Sequence, residues 1–217
     1  GQLSMLSGSH LDNAGSTLVN SGTLTLRAGS SFDNTGGTFQ NSGTIKSYFD
    51  NYYQTLQGGA GGTVVLQSDS TYENWAKLSN ASAQTLTNTL NLSNYDTLSN
   101  QGTLVNQAGA HLSNLDSGVI SNEGQWENQG VLDNDSQFDN QKDAVLVNHA
   151  SAEFDNGDTL NNYGTLSNNG LFSNQLNSNL SQAFTNQTSG VFENNSGSTF
   201  VNRDGRFDNS GQLNGAA

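Results

Sequence analysis

One beat constrains this chain more than any other feature: an apolar residue, one variable residue, an Asn, a short spacer, and the same again. Between Leu98 and Asn140 it reads LSNQGT, LVNQAGAH, LSNLDSGV, ISNEGQ, WENQGV, LDNDSQ, FDN, with apolar anchors at Leu98, Leu104, Leu112, Ile120, Trp126, Leu132 and Phe138. The steps between anchors are six or eight residues. About 25 such triplets run from Leu11-Asp12-Asn13 to Phe207-Asp208-Asn209, and internal repetition of this kind decides the architecture before any local feature does.

Side chains alternate between the faces of a strand, so the apolar residue and the Asn of a triplet point the same way and the middle residue points oppositely. The middle residues are polar, as at Ser99, Ser113, Glu127, Asp133 and Asp139, which places the anchor and the Asn inside and the middle residue in water. A three-residue strand is too short to stand alone. It becomes stable when the next turn of chain stacks on it.

Asn tolerates the left-handed conformation and bonds locally to backbone, and stacked copies form an amide ladder. Ladder positions are predicted at Asn100, Asn106, Asn114, Asn122, Asn128, Asn134, Asn140, Asn148, Asn156, Asn162 and Asn168. Gly often follows two residues later, as in Asn100-Gln101-Gly102 and Asn128-Gln129-Gly130, where it is expected to supply a positive φ for a sharp corner.

Three units sum to roughly 20 residues, one circuit of a three-sided solenoid whose coils stack about 4.8 Å apart. The predicted fold is all-β, a single-stranded parallel β-solenoid of ten or eleven coils and roughly 50 Å length. Leu132 and Phe154, three triplets apart, should then stack on one face, and Asp133 should sit directly above Asp155. The absence of proline fits, because each coil needs its N–H groups for the coils above and below. A helix is disfavoured: Gly and Asn are poor helix formers and the beat has no 3.6 period.

Residues 1–217 read as one domain, with the beat looser before Asn51. Residues 52–70, YYQTLQGGAGGTVVLQSDS, break it and are predicted to be a Gly-rich loop leaving the solenoid, with Thr63-Val64-Val65-Leu66 a strand re-entering it. A second irregularity lies at Gln175 to Ala183. The opening GQLSMLSGSH has neither the basic nor the apolar region of a signal peptide, and the chain starts and stops within the beat. It therefore reads as a segment of a longer repeat protein or as a filament subunit.

The net charge is -13 with six Lys and Arg, which disfavours a nucleic-acid role and attraction to anionic membrane surfaces. No run approaches the roughly 18 to 20 apolar residues that span a bilayer. Without Cys there is no disulfide, zinc knuckle or thiol nucleophile.

No catalytic or cofactor-binding residues are expected. Ten of the nineteen acids are triplet middle residues spread along the chain, which reads as a solvated face rather than a converging pair. Asp133 and Asp155 are the candidate pair for a weak Ca²⁺ site, since stacked like charges need a cation or water between them. His10, His111 and His149 lack ligand spacing and read as isolated, His111 and His149 at exposed corners. Trp126 occupies an anchor and reads as core, whereas Trp75 follows Asn74 and is placed outward near Tyr72, where an aromatic could stack on a sugar.

The tandem LxNxGTLxN runs, Leu98-Ser99-Asn100-Gln101-Gly102-Thr103-Leu104-Val105-Asn106 and Leu160-Asn161-Asn162-Tyr163-Gly164-Thr165-Leu166-Ser167-Asn168, resemble the repeats of filamentous-haemagglutinin-like large exoproteins. These are bacterial surface adhesins exported by two-partner secretion. The resemblance covers nearly the whole chain and implies a right-handed parallel β-helix that projects from the cell and serves adhesion, aggregation or biofilm structure. The Asn-Pro motifs of the family's secretion domain do not occur in this proline-free sequence.

The expected function is structural and non-enzymatic: an extracellular or cell-surface adhesin shaft, or a self-assembling filament or biofilm matrix subunit. Its open coil edges are expected to stack end to end, and host or matrix carbohydrate or protein is the expected outside partner. The alternative is a polysaccharide-binding or polysaccharide-cleaving module with a groove built by residues 52–70.

Overall fold

Strands of three to five residues follow one another from Gln2–Met5 to Gln212–Gly215. The computed structural model describes residues 1–6, 8–13, 15–26, 31–33, 38–41, 44–47, 55–58, 63–66, 71–74, 77–80, 82–83, 85–89, 91–175 and 183–215, and these contain no helix. Every third strand joins the same sheet, so the chain winds through three ten-stranded sheets in turn. The first sheet runs from Gln2–Met5 to Thr199–Arg203, the second from His10–Asp12 to Arg206–Asn209, the third from Thr17–Asn20 to Gln212–Gly215. All strand pairs are parallel, giving a three-sided β-solenoid of ten rungs.

The register is the one that the beat predicts. Leu132 pairs with Phe154 and Asp133 with Asp155. Anchors and Asn residues are buried and the residues between them face outward, in the alternating pattern of Val131–Asn134 and its neighbours. The core begins as a column of leucines and becomes aromatic towards the C-terminal end. Trp126 lies 5.2 Å from Phe138, Phe154 stacks on Phe172 at 4.8 Å, and Phe184 stacks on Phe207 at 4.8 Å.

Three Asn ladders line this core. In the first sheet Nδ2 of Asn74, Asn94, Asn114, Asn134, Asn156 and Asn174 each donates to Oδ1 of the next Asn, ending at Asn202, at 2.6–2.8 Å. The second runs from Asn80 through Asn100, Asn122, Asn140, Asn162 and Asn186 to Asn209, at 2.7–2.8 Å. The third runs from Asn88 through Asn106, Asn128, Asn148 and Asn168 to Asn194, at 2.8 Å throughout. The second amide hydrogen usually reaches a backbone carbonyl across the corner of the next rung, as from Asn128 to Glu153 at 2.8 Å. All eleven predicted ladder positions are in these rows and are buried.

Backbone bonding continues through the corners. Gln129 N–H donates to the Asn106 carbonyl at 2.7 Å and Glu153 N–H to the Gly130 carbonyl at 3.0 Å. Proline would break this run of donors.

The corners correct two expectations. The ladder Asn residues are extended, and positive φ belongs mostly to four-residue corners, as at Gly109 (82°), Asp116 (53°), Asp143 (68°) and Ser151 (70°), with Asp204 (59°) in a shorter corner. Gly130, in a two-residue corner, is needed for close approach: a Cβ there would stand 2.3 Å from the Ala110 carbonyl oxygen and 2.5 Å from that of Gln107.

Of residues 52–70, Thr55–Gly58 and Thr63–Leu66 are regular strands, paired with Lys77–Asn80 and Thr85–Asn88. The Thr63–Leu66 strand is as predicted, Thr55–Gly58 takes a place in the stack where a loop was expected, and the Gly-rich residues 59–62 lie outside the described residues. Ladder partners are 18–22 residues apart as far as Asn174, then 24, 26 and 28 apart for Asn162 to Asn186, Asn168 to Asn194 and Asn174 to Asn202. These longer spans all contain residues 176–182, within the predicted second irregularity and outside the described residues.

Candidate functional site: an acid-lined edge

The edge between the first and second sheets carries an Asp at successive corners: Asp96, Asp116, Asp135 and Asp158. Asp133 and Asp155, the last outward residues of their strands, stand beside this row. A cleft of roughly 220 Å³ opens there, lined by Asp133, Asp135, Asp155, Asn156, Gly157 and Gln175. Acids missed in the strand-by-strand reading thus converge along one edge. The signal was present, because an Asp stands one or two residues after each of Asn94, Asn114, Asn134 and Asn156, every third ladder Asn.

Asp155 is one of two carboxyls beside this edge that are raised above their ordinary values. Burial pushes its carboxyl up and the charge of Asp133 adds to the rise, against hydrogen bonds from Ser173 and Glu153 that pull it down. Its Oδ1 is buried with no hydrogen-bond partner. Glu153, two residues back on the same strand face, is also raised, first by the Asp155 charge, then by burial and by Asp133, with His111 opposing. The candidate Ca²⁺ pair is therefore stacked as predicted. Among the described residues, no group of three or more His, Asp or Glu is placed to hold a metal ion.

The histidines depart from the sequence reading. His111 Nε2 lies 2.5 Å from Asp133 Oδ2, and His149 Nε2 contacts Glu127 Oε2. Each contact joins residues 22 apart, one rung on, so these histidines clip neighbouring rungs rather than standing isolated. Trp126 is fully buried, as expected of an anchor, and its Nε1 has no partner. Trp75 lies outside the described residues.

The edge between the third and first sheets has the opposite character. Its corners at residues 107–110, 129–130, 149–152, 169–170 and 195–198 contain no Asp or Glu and alternate between four residues and two. The long corners project and the short ones recede. One recess, roughly 530 Å³, is lined by Gly109, Gln129, Val131, His149, Ser151 and Glu153, among others.

Large apolar side chains exposed among the described residues are Leu3, Leu6, Val19 and Leu213, all at the first or last rung. Comparison with protein-family models, with curated proteins and with solved structures returns no match for this chain.

Proposed function

We propose that the chain is a structural, non-enzymatic rod of the extracellular space or bacterial surface: an adhesin shaft, or the repeating subunit of a filament or biofilm matrix. The observation that carries this reading is the three axial ladders. Buried Asn side chains bond rung to rung along the axis, an arrangement suited to stiffness. The repeat resemblance at residues 98–106 and 160–168 supports the adhesin class.

The unpaired strand edges of the first and last rungs suit a further parallel rung, whether from continuation of the chain or from a second copy stacked end to end. The acidic edge repels nucleic acid and other rods of its kind, which favours axial over lateral association. Repetition offers host or matrix carbohydrate or protein many equivalent contacts.

A second reading, a polysaccharide-cleaving or polysaccharide-binding module, draws on the Asp133–Asp155 stack. Asp155 is held towards its protonated form with a second carboxylate one rung away, the pairing that glycoside hydrolysis uses.

Negative-stain electron microscopy over a concentration series, with and without Ca²⁺, run beside a degradation screen of soluble polysaccharides, tests the two. Rods of roughly 50 Å that stay single or lengthen into filaments, with no polysaccharide cleaved, are expected for the structural role. Cleavage that disappears in Asp155→Asn would overturn it.

A further inference from the structure

The edge between the third and first sheets is built as a row of equal ridges and recesses. Its long corners, at residues 107–110, 149–152 and 195–198, share one geometry. In each, the N–H of the last residue donates to the carbonyl of the first, from Ala110 to Gln107 at 2.9 Å, from Ala152 to His149 at 3.0 Å and from Ser198 to Asn195 at 3.1 Å. The third residue of each has positive φ, at Gly109 (82°), Ser151 (70°) and Gly197 (83°). The short corners between them sit low: a Cβ on Gly130 would stand 2.3 Å from the Ala110 carbonyl oxygen, and one on Gly170 2.4 Å from that of Ala152. Ridges therefore recur every second rung, about 9.6 Å apart.

What the ridges carry separates this edge from the other two. The exposed tips are Ala108 and Gly109, Ala150 and Ser151, and Ser196 and Gly197, all small and uncharged. Tips elsewhere bear charge, as at Asp116 on the acidic edge and at Lys142 and Asp143 between the second and third sheets. For a chain of net charge -13, an edge whose corners hold no acid is where a second copy can approach. A sugar is served less well, because these five corners hold no Trp, Tyr or Phe to stack against it.

We infer that this edge is an interface between two copies of the chain, laid antiparallel, with the ridges of one in the recesses of the other. A twofold axis between corners 129–130 and 149–152 sets ridge 149–152 into recess 129–130 of the second copy, and ridge 107–110 into recess 169–170. The same axis brings flanking strands together, Gln125–Asn128 beside Val145–Asn148 and Val131–Asn134 beside Glu153–Asn156. Each acid bordering the edge then faces an uncharged residue of the second copy: Glu127 faces Val147, Glu153 faces Val131 and Glu193 faces Thr87. The five corners span only about 19 Å, less than a stable dimer needs, so one pair of chains associates weakly and each further rung that continues the pattern strengthens the contact. This goes beyond the structural role proposed above, adding lateral pairing on one edge to association along the axis.

Thiol crosslinking tests the pairing, since the chain has no Cys of its own. Ala150→Cys and Gln129→Cys chains, mixed at high concentration in about 0.15 M salt and oxidised, are expected to give mixed disulfide dimers about tenfold above an Asp135→Cys control on the acidic edge. Ala108→Cys is expected to crosslink to Asn169→Cys and not to Gln129→Cys. Sedimentation velocity of the unmodified chain, which no folding defect of a variant can affect, is expected to show a dimer fraction that grows with concentration. Crosslinks no stronger than the control's, or an unmodified chain that stays monomeric throughout, overturn the inference. Crosslinks from Ala108→Cys to Gln129→Cys overturn the antiparallel arrangement, and a soluble polysaccharide that blocks labelling of Gln129→Cys while no dimer forms overturns the choice of a second copy in favour of carbohydrate.

Discussion

Asn128 donates one amide hydrogen to Oδ1 of Asn148 and the other to the Glu153 carbonyl, each at 2.8 Å, while its own Oδ1 accepts from Asn106 at 2.8 Å. One buried side chain thus fixes three rungs and a corner. Such a side chain has no conservative replacement: Asn128→Ala leaves the Asn106 donor and the Asn148 acceptor unmet in a dry interior. Each orphaned buried group costs about 1–3 kcal/mol, so a loss of about 2–5 kcal/mol is expected in urea unfolding. Asn128→Asp keeps the acceptors but loses both donors and buries a charge, and is expected to cost more.

Gly130 and Gly109 occupy neighbouring corners for different reasons, and alanine separates them. At Gly130 a Cβ collides with two carbonyl oxygens, at 2.3 and 2.5 Å. At Gly109 it meets nothing within 4 Å, but φ is 82. Gly130→Ala is expected to cost about 3 kcal/mol or more, through forced separation of rungs, and Gly109→Ala only about 1–2 kcal/mol, the left-handed penalty. Thermal melts of the two variants check the order.

That difference also shows what sequence could and could not reveal. The register of Leu132 on Phe154, the buried ladder and the stacked Asp133 and Asp155 all follow from counting triplets, because strand period and burial fix them. Gly130 looked like a φ requirement because a corner glycine usually is one; the carbonyls that crowd it, from Ala110 and Gln107, lie in the preceding rung, and only the stack shows them. The contacts of His111 with Asp133 and of His149 with Glu127 were hidden likewise, since corner lengths vary and no fixed spacing identifies a cross-rung neighbour. Thr55–Gly58 reads as part of a Gly-rich insertion because residues 52–70 break the beat and run through GGAGG, yet its pairing with Lys77–Asn80 is regular.

The acidic edge sets the pH dependence. Asp155 and Glu153 titrate above their ordinary values of 3.8 and 4.5 in the folded chain. A carboxyl that holds its proton more tightly when folded makes the folded state gain stability as pH falls through the raised value, the gain being complete below the ordinary one. Melting temperature is therefore expected to rise on acidification from neutral pH towards that range, before general protonation of other acids intervenes. Asp155→Asn removes the charge at the most buried point and is expected to raise the neutral-pH melting temperature and flatten this rise. A lower melting temperature for the variant at pH 7 would contradict the assignment.

Trp126 is fully buried with its Nε1 unpaired. Trp126→Phe removes that orphaned donor, a gain of about 1–3 kcal/mol, and loses some packing against Phe138. The two effects oppose, so the variant is expected to lie within about 1 kcal/mol of the parent, whereas Trp126→Ala opens a cavity and costs about 3–5 kcal/mol. Urea titration of both variants checks the contrast.

The most direct measurement of the central claim, that the rod is held along its axis by Asn ladders, is hydrogen exchange of the Asn side-chain amides by nuclear magnetic resonance. Both Nδ2 hydrogens of Asn114, Asn128 and Asn148 are engaged and buried. Their exchange is expected to be as slow as that of the backbone amides of the same strands. Exchange as fast as that of an exposed amide such as Asn91 would mean that the side chains turn to solvent and that no ladder holds the rungs together.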